Sequence, residues 1–332
     1  MLISIICGVY NAQDSIRKLL DSLLIQSYYD IEIIMVVNGT MDKTLEIVQE
    51  YAKCENRIVI YKTKDKLGAG GARAKGMELA QGEYLAIVDC DDYVGVDYIR
   101  SMVEEVEKAL KPDVILTGFQ RVSQNGKINY VRKFGTPQEA LCQSVAPWAK
   151  MYRKDFLEEN QIMFRNIPFG EDILFTMEII MARPTIRLID SADYFWVNRP
   201  YSTSHTEIRG FPEKNIEIST EYINEMLNKY NVAQIEAAYH IYKYAIWYIL
   251  HSGRNVGIKR MKTEYCKVID YMDKKIPQWW NGLDNYIKHL IEERKMVRIV
   301  LWLSLALKAC HLDKAAFSIY SVLPMDMFWP SL

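Results

Sequence analysis

Short, continuous apolar runs alternate with amphipathic stretches through the first half of the chain. The apolar runs cover residues 2–7, 32–37, 57–62, 84–89 and 113–118. Their length and lack of polar alternation are typical of strands that are covered on both faces. Between them, apolar periodicity predicts helices at about 16–24, 41–54, 70–80 and 96–110. The alternation predicts an α/β fold with a mostly parallel, doubly wound, Rossmann-like sheet.

The pattern changes after residue 206. Before that point, Gln124-Asn125-Gly126-Lys127 predicts a hairpin turn, and residues 194–197 predict another strand. From Phe211 onward, helical periodicity covers residues 216–230, 233–250, 258–274, 284–295, 296–309 and 312–322. We therefore predict two domains, an α/β domain over 1–206 and an all-helical C-terminal region over 207–332.

Composition narrows the classes of protein that fit. Half of the 332 residues are hydrophobic, which is enough for a sizeable core. The net charge of −1 argues against a broad basic surface, so we expect no nucleic-acid partner. The six cysteines lack zinc-site spacing and predict reduced thiols in a cytoplasmic protein. The apolar start lacks a basic leader, and no run is long enough to span a bilayer.

The strand at 84–89 ends in the acidic segment Asp89-Cys90-Asp91-Asp92. Because residues two apart point the same way in a strand, Asp89 and Asp91 should project together from its carboxyl end. Ligands bind at that edge of open α/β sheets. Paired carboxylates there suit Mn²⁺ or Mg²⁺ bridging to a phosphate. Asp92 should point away from the other two and cap the following turn.

Three other segments each allow a structural or a functional interpretation. Asn38-Gly39 is either a nucleotide contact or a plain turn, with Asp42 capping the next helix. The glycine-rich segment around Arg73 is either an anion site or a solvated loop. The pair Glu171-Asp172 either starts a helix, where the dipole favours acids, or supplies a general base.

Taken in order, these segments resemble glycosyltransferase family 2, the inverting nucleotide-sugar transferases with the A-type fold, and in particular its bacterial surface-polysaccharide members. The resemblance covers roughly the first 200 residues. It rests on Gly8-Val9-Tyr10-Asn11, Val37-Asn38-Gly39-Thr40, Gly68 to Gly76, Asp89-Cys90-Asp91-Asp92, Trp148-Ala149-Lys150-Met151-Tyr152 and Glu171-Asp172. No one of these motifs is specific, but their order and spacing together are.

The resemblance assigns roles to individual residues. It implies that Asp172 is the catalytic base and that Asp91 is a direct metal ligand. Asp89 would bind the metal or the ribose, while Glu171 and Trp148 would lie near the acceptor. The implied nucleotide-sugar contacts are Val9, Tyr10, Asn38, Arg73, Asp89 and Cys90. His205, in the polar run 199–205, is either an extra metal ligand or a solvated side chain.

The function implied is metal-dependent, inverting hexosyl transfer in polysaccharide biosynthesis. The donor would be a nucleotide sugar, with UDP expected, and the acceptor a hydroxyl of a glycan or lipid-linked glycan. Val37 and Asn38 replace two acids of the family's first turn, although the Asn38 amide can still accept an N–H from the base. Ala74 replaces the usual asparagine after the arginine.

Two other functions fit parts of the pattern. One is a catalytically degenerate family member that serves as a partner subunit, for which Asn38 is the best support. The other is a sugar-nucleotide nucleotidyltransferase. That class carries a basic, glycine-rich segment after the first strand, whereas Cys7 to Asn11 has one glycine and no basic residue.

The helix predicted at 296–309 is apolar nearly all round, and Arg294, Lys295, Arg298 and Lys308 flank it. It either lies on the inner face of the cell membrane, packs inside the helical region, or forms a homodimer interface. Buried helices commonly show this pattern, so the second and third interpretations are favoured.

Overall fold

The computed structural model describes residues 1–64, 66–108, 111–199, 211–253 and 256–320. These residues form two compact units, one of 1–167 with 171–199 and one of 168–170 with the described residues after 210. The domain boundary predicted at residue 206 lies outside the described residues.

The first unit is built on a seven-stranded sheet. From one edge to the other, with strands numbered along the chain, the order is β10 (Ile186–Leu188), β6 (Val114–Leu116), β9 (Lys150–Arg153), β4 (Tyr84–Ile87), β1 (Ile3–Val9), β2 (Ile31–Asn38) and β3 (Ile58–Thr63). Strand β9 is antiparallel to both of its neighbours, and the other pairings are parallel. The predicted mostly parallel sheet is therefore confirmed.

Helices cover both faces of this sheet, as a doubly wound fold requires. Along the chain they are α1 (Ile16–Leu24), α2 (Thr44–Cys54), α3 (Gly68–Leu79), α4 (Tyr98–Lys108), α5 (Pro137–Gln143), α6 (Lys154–Glu159) and α7 (Glu171–Met181). Successive residues of β1 alternate between two apolar clusters: Ile5 packs with Leu20 of α1, and Ile6 packs with Ala72 of α3 and Phe175 of α7. The site-bearing helices α3 and α7 thus share one face.

A smaller sheet of four strands completes the first unit, in the order β5 (Tyr93–Val94), β11 (Tyr194–Asn198), β7 (Phe119–Ser123) and β8 (Ile128–Arg132). Strands β7 and β8 form the predicted hairpin, and Gly126 supplies its positive φ of 82°. Strand β11 begins with the buried Tyr194, whose ring stacks on Trp148 at 4.6 Å between centroids.

Strand β9 was not predicted from the sequence. It carries Lys150, which is 1 % exposed, and it follows Ala149, whose φ of +55° is unusual for a residue other than glycine. A buried lysine breaks the apolar run that marks the other central strands. The cost of burying this ammonium is offset because Nζ donates to the carbonyl and hydroxyl oxygens of Ser144, at 2.8 and 3.2 Å, and to the carbonyl of Ala146.

The second unit is helical over its described residues after 210, which confirms the predicted helical C-terminal region. Its helices are α8 (Asn215–Lys229), α9 (Gln234–Ser252), α10 (Ile258–Lys275), α11 (Leu283–His289), α12 (Lys295–Ala309) and α13 (Asp313–Tyr320). Aromatic side chains form much of its core, including Tyr239, Tyr242 and Trp279. Among the described residues, no helix combines the length and the hydropathy needed to cross a bilayer.

Candidate active site

Three carboxylates converge where β4 ends. The chain turns there, since the Asp92 N–H donates to the Asp89 carbonyl at 3.1 Å. One carboxylate oxygen each from Asp89, Asp91 and Asp92 lies within 4.8 Å of the other two. Asp89 and Asp91 converge as predicted, but the prediction that Asp92 points away was wrong. Clustered hard oxygen ligands fit Mg²⁺ or Mn²⁺, although the residues do not select between these ions.

Asp92 anchors strand β11 rather than capping a turn. It is 2 % exposed, and its carboxylate accepts the Tyr194 hydroxyl at 2.7 Å and the Val197 N–H at 2.8 Å. Burial, with the charges of Asp91 and Asp89, raises its pKa well above the ordinary value. Burial and the charge of Asp89 likewise raise the pKa of Asp91. A bound divalent cation would relieve this repulsion, so the three residues fit a metal site.

Arg73 joins this cluster to the beginning of α7. Its two terminal nitrogens donate to Asp89 Oδ1 at 2.8 Å and to Glu171 Oε1 at 2.9 Å. The three side chains are 11 %, 29 % and 15 % exposed, respectively. Burial alone would lower the pKa of Arg73, but the charges of Asp89 and Glu171 outweigh it and raise that pKa. The guanidinium of Arg73, which is predicted to contact the nucleotide, therefore already bridges two carboxylates.

The glycines of α3 allow this bridge to form. A Cβ on Gly70 would lie 2.1 Å from the backbone oxygen of Arg165 and 3.2 Å from Glu171 Cβ. Any side chain at this position would push α3 away from the segment that leads into α7. The glycine-rich sequence thus serves close helix packing here, whether or not it also approaches a phosphate.

Asp172 lies in the first turn of α7, and its Oδ1 accepts the Ile173 N–H at 2.8 Å. Burial and the adjacent charge of Glu171 raise its pKa to about 7, while Arg73 acts in the opposite direction. A general base is most effective when its pKa lies near the working pH. The structure therefore places a carboxylate of suitable basicity next to the Arg73 bridge.

Asn38, for which a contact with the nucleotide base stays a prediction, is hydrogen-bonded within the fold. Asn38 is 3 % exposed, its Oδ1 accepts the Leu67 N–H at 2.6 Å, and its Nδ2 donates to the Gly68 carbonyl at 3.1 Å. Both ends of the amide are engaged in holding the start of α3. The alternative interpretation of this segment fits better: Gly39 has a φ of +64°, and Asp42 accepts the Thr44 N–H at 3.0 Å where α2 begins.

Val9 and Trp148, two other predicted contacts, also pack within the fold. Val9 is 0 % exposed and belongs to the core, and its contact with the base stays a prediction. Trp148 is 7 % exposed and sits between Tyr194 and Phe119, whose ring centroids lie 4.6 and 5.0 Å away. This packing supports β11 from behind the carboxylates, and a Trp148 contact to the acceptor stays a prediction.

The other predicted contacts surround the carboxylates or fall outside the described residues. The Tyr10 ring is half-buried under Lys66 Nζ, 3.9 Å from its centroid. Cys90 is half-buried, and burial raises the pKa of its thiol to about 12. Arg199 donates to the Asp91 carbonyl at 3.2 Å, which places a cation beside the cluster. His205 lies outside the described residues.

Lys150 was not predicted as a site residue, although it lies inside the motif Trp148 to Tyr152. Its ammonium donates to the carbonyls of Ser144 and Ala146, and Thr176 of α7 donates to the Val145 carbonyl at 2.8 Å. Strand β9 and helix α7 thus hold one segment between them. Burial lowers the pKa of Lys150 to about 7, and the charge of Asp172 opposes that change. Lys150 is therefore electrostatically linked to Asp172.

Comparison with known proteins identifies the family. The model of "Glycosyl transferase family 2" matches residues 4–175, which include Arg73, the carboxylates at 89, 91 and 92, and the pair Glu171-Asp172. The chain belongs to glycosyl transferase family 2. It is 32 % identical over 238 residues to the glycosyltransferase EpsJ of Bacillus subtilis, and this match covers 67 % of each chain.

Longer relatives cover more of this chain. It is 28 % identical to a poly(ribitol-phosphate) beta-glucosyltransferase of Bacillus spizizenii, over 88 % of this chain and 46 % of the relative. The crystal structure of Staphylococcus aureus TarS superposes with a TM-score of 0.68 at 20 % identity, over 96 % of this chain and 55 % of that one. The family 2 chain thus has the expected A-type fold and spans about half the length of these two proteins.

The Arg73 bridge predicts an unequal effect of two arginine substitutions. Arg73→Leu should lower the free energy of unfolding of the protein by about 3 kcal/mol, because it leaves Asp89 and Glu171 poorly solvated and unpaired. Arg17→Leu, which breaks an exposed pair with Glu50, should lower the free energy of unfolding far less, because water and salt screen exposed charges. Urea denaturation of both variants measures this difference. Equal losses would show that the bridge has no special structural role.

Proposed function

We propose that this protein is a metal-dependent, inverting glycosyltransferase that moves a hexose from a UDP-sugar to a hydroxyl of a glycan or lipid-linked polymer. The proposal is carried by one observation: Asp172, a carboxyl with a pKa of about 7, lies beside a bridge to a convergent carboxylate cluster. Family membership and relatives named as glycosyltransferases support it. The TarS fragment 1–349, crystallised with UDP-GlcNAc, shares the fold with a TM-score of 0.58.

In this mechanism the carboxylates and the base act on opposite sides of the sugar. Asp91 and Asp89 would hold the cation, which when bound neutralises charge on the departing diphosphate. Arg199 would add positive charge on that side. Asp172 would accept the proton of the acceptor hydroxyl while the oxygen of that hydroxyl bonds to the anomeric carbon. The bond from that carbon to the diphosphate oxygen breaks in the same displacement, which inverts the configuration.

The acceptor is proposed from the relatives alone. The relatives that match the longest part of this chain carry poly(ribitol-phosphate) in their names, and ribitol-phosphate units present hydroxyl groups. A base that deprotonates a hydroxyl suits such an acceptor as well as it suits a sugar. Glu171 would stand near the acceptor, but its carboxylate is already paired with Arg73. This pairing makes it a positioning residue for Asp172.

The Asn38 amide already bonds to the backbone of Leu67 and Gly68 at the start of α3. We propose that Tyr10, with Lys66 above its ring, forms one side of the base site. A ring under a cation presents its other face for stacking. Asp89 would be shared between the ribose, the cation and Arg73.

Replacing the base tests the proposal directly. Asp172→Asn keeps the size of the side chain and removes its basicity, so turnover should fall by about 10²–10⁴-fold. UDP binding should stay within about threefold of the unchanged protein, because the donor site is untouched. Radiolabelled sugar transfer and calorimetry measure the two quantities. Asp190→Asn, on an exposed side chain, is the matched control. Turnover by Asp172→Asn near that of the control would refute the assignment.

The pKa of Asp172 sets the expected pH profile. The carboxyl must be ionised to accept a proton, so turnover should rise tenfold per pH unit below about 7 and level off above it. An ordinary exposed aspartate would instead be ionised above about pH 4. Turnover at saturating donor and acceptor, measured from pH 5 to 9, checks this. A profile that is flat down to pH 5 would contradict the raised pKa.

Removal of the metal gives an independent test that also separates an enzyme from an inactive partner subunit. UDP with Mn²⁺ should raise the melting temperature of the protein by several degrees, as a ligand at 100 times its Kd adds about 2.7 kcal/mol. UDP with a chelator should raise it little, and Asp91→Asn should lose most of the metal-dependent shift. A shift that is insensitive to the chelator would remove the metal from the mechanism. Metal-dependent binding without any transfer or donor hydrolysis would favour the partner subunit.

A further inference from the structure

Helix α12 of the second unit has two apolar faces. One face is buried, and Val297, Leu301 and Leu305 are 7 %, 1 % and 7 % exposed. The other face carries large apolar side chains that remain exposed: Met296 at 56 %, Ile299 at 39 %, Trp302 at 47 % and Leu303 at 48 %. Its apolar sequence is therefore explained only in part by packing within the unit.

The exposed side chains form one continuous stripe. With about 100° between successive residues, Met296, Ile299, Trp302 and Leu303 fall within an arc of roughly 120°. The 15-residue helix is about 22 Å long, and the stripe covers its first half. Surface helices normally carry polar and charged side chains on the face that looks away from the core. Four large apolar side chains in one such arc mark a surface that meets something other than water.

The charges around α12 identify the chemistry of that partner. From residue 294 to 312 the sequence contains Arg294, Lys295, Arg298 and Lys308 and no acidic residue. The acids that flank this stretch are committed elsewhere: Glu293 is 3 % exposed and pairs with Lys243, and Asp313 is 6 % exposed and accepts the Tyr265 hydroxyl. Two of the four basic side chains also have partners: Arg298 donates to the Lys288 carbonyl, and Lys308 Nζ lies over the rings of Trp279 and Trp280. The beginning of α12, where Lys295 is exposed, is therefore basic, although the whole chain has a net charge of −1.

We propose that the exposed face of α12 lies in the plane of an anionic lipid surface. The apolar stripe would enter the boundary between headgroups and acyl chains, with Lys295 and its neighbours Arg294 and Arg298 reaching acidic headgroups. The attraction of such basic residues to an anionic surface weakens as the salt concentration rises. Packing against a second copy through this face would bring two basic surfaces together, which opposes a homodimer.

This inference deepens the proposed function, because a lipid surface would hold the enzyme where lipid-linked acceptors are found. It does not depend on catalysis. Asp172→Asn should bind vesicles as the unchanged protein does while losing transfer, so failure of one proposal is distinguishable from failure of the other.

Vesicle flotation of the full chain tests the inference. The protein should float with vesicles of phosphatidylcholine containing about 30 % phosphatidylglycerol and bind pure phosphatidylcholine at least tenfold more weakly. Raising the salt from 0.1 to 0.5 M should release it. The double substitution Trp302→Ser, Leu303→Ser should lower the vesicle affinity at least tenfold without disturbing the fold, since both side chains are exposed.

The control removes an exposed apolar side chain elsewhere in the same unit. Ile258→Ser, at a residue that is 53 % exposed at the beginning of α10, should leave the vesicle affinity within twofold. Equal binding by the double variant and the unchanged protein would overturn the proposal. So would a dimer in sedimentation that the double variant abolishes, if the unchanged protein does not bind vesicles, because this face would then be an interface between copies.

Discussion

The ion pairs of Arg73 are the constraint on which the candidate site depends. One guanidinium joins Asp89, which follows a central strand, to Glu171 at the start of α7, and Glu171 lies 98 residues after Arg73 along the chain. Without the Arg73 guanidinium between them, the carboxylates of Asp89, Glu171 and Asp172 would repel one another in a partly buried space. An ion pair of this kind contributes more to arrangement than to net stability, because desolvation cancels much of its attraction. Its consequence is that Asp172 and the carboxylate cluster hold fixed positions relative to each other.

The packing around Arg73 explains why sequence features that suggest ligand binding also have structural roles. Gly70 gives α3 its close approach to the backbone of Arg165, and Asn38 fastens the start of the same helix through both ends of its amide. Both features position Arg73. A polar residue at a strand end thus serves the site indirectly when its hydrogen bonds are satisfied within the fold.

Properties of the fold that depend on local pattern were predictable from the sequence. Apolar runs and helical periodicity predict the parallel strands, the flanking helices and the convergence of Asp89 with Asp91. Properties that depend on distant partners were not. Asp92 turns inward because Tyr194, 102 residues later, supplies a hydroxyl to it. Strand β9 was missed because its buried Lys150 is satisfied by carbonyls that only the folded chain brings near.

Burial shifts the pKa values of the charged groups of this site in different directions. It raises the pKa of Asp172 to about 7 and lowers that of Lys150. Arg73 keeps its charge in the same surroundings, because the pKa of a guanidinium starts far higher and its two carboxylate partners raise it further. The site therefore contains a permanent cation that fixes geometry and an adjacent carboxyl that can gain and lose a proton. A proton acceptor at neutral pH needs that division, since one group cannot both hold its neighbours by a fixed charge and change its own charge in each turnover.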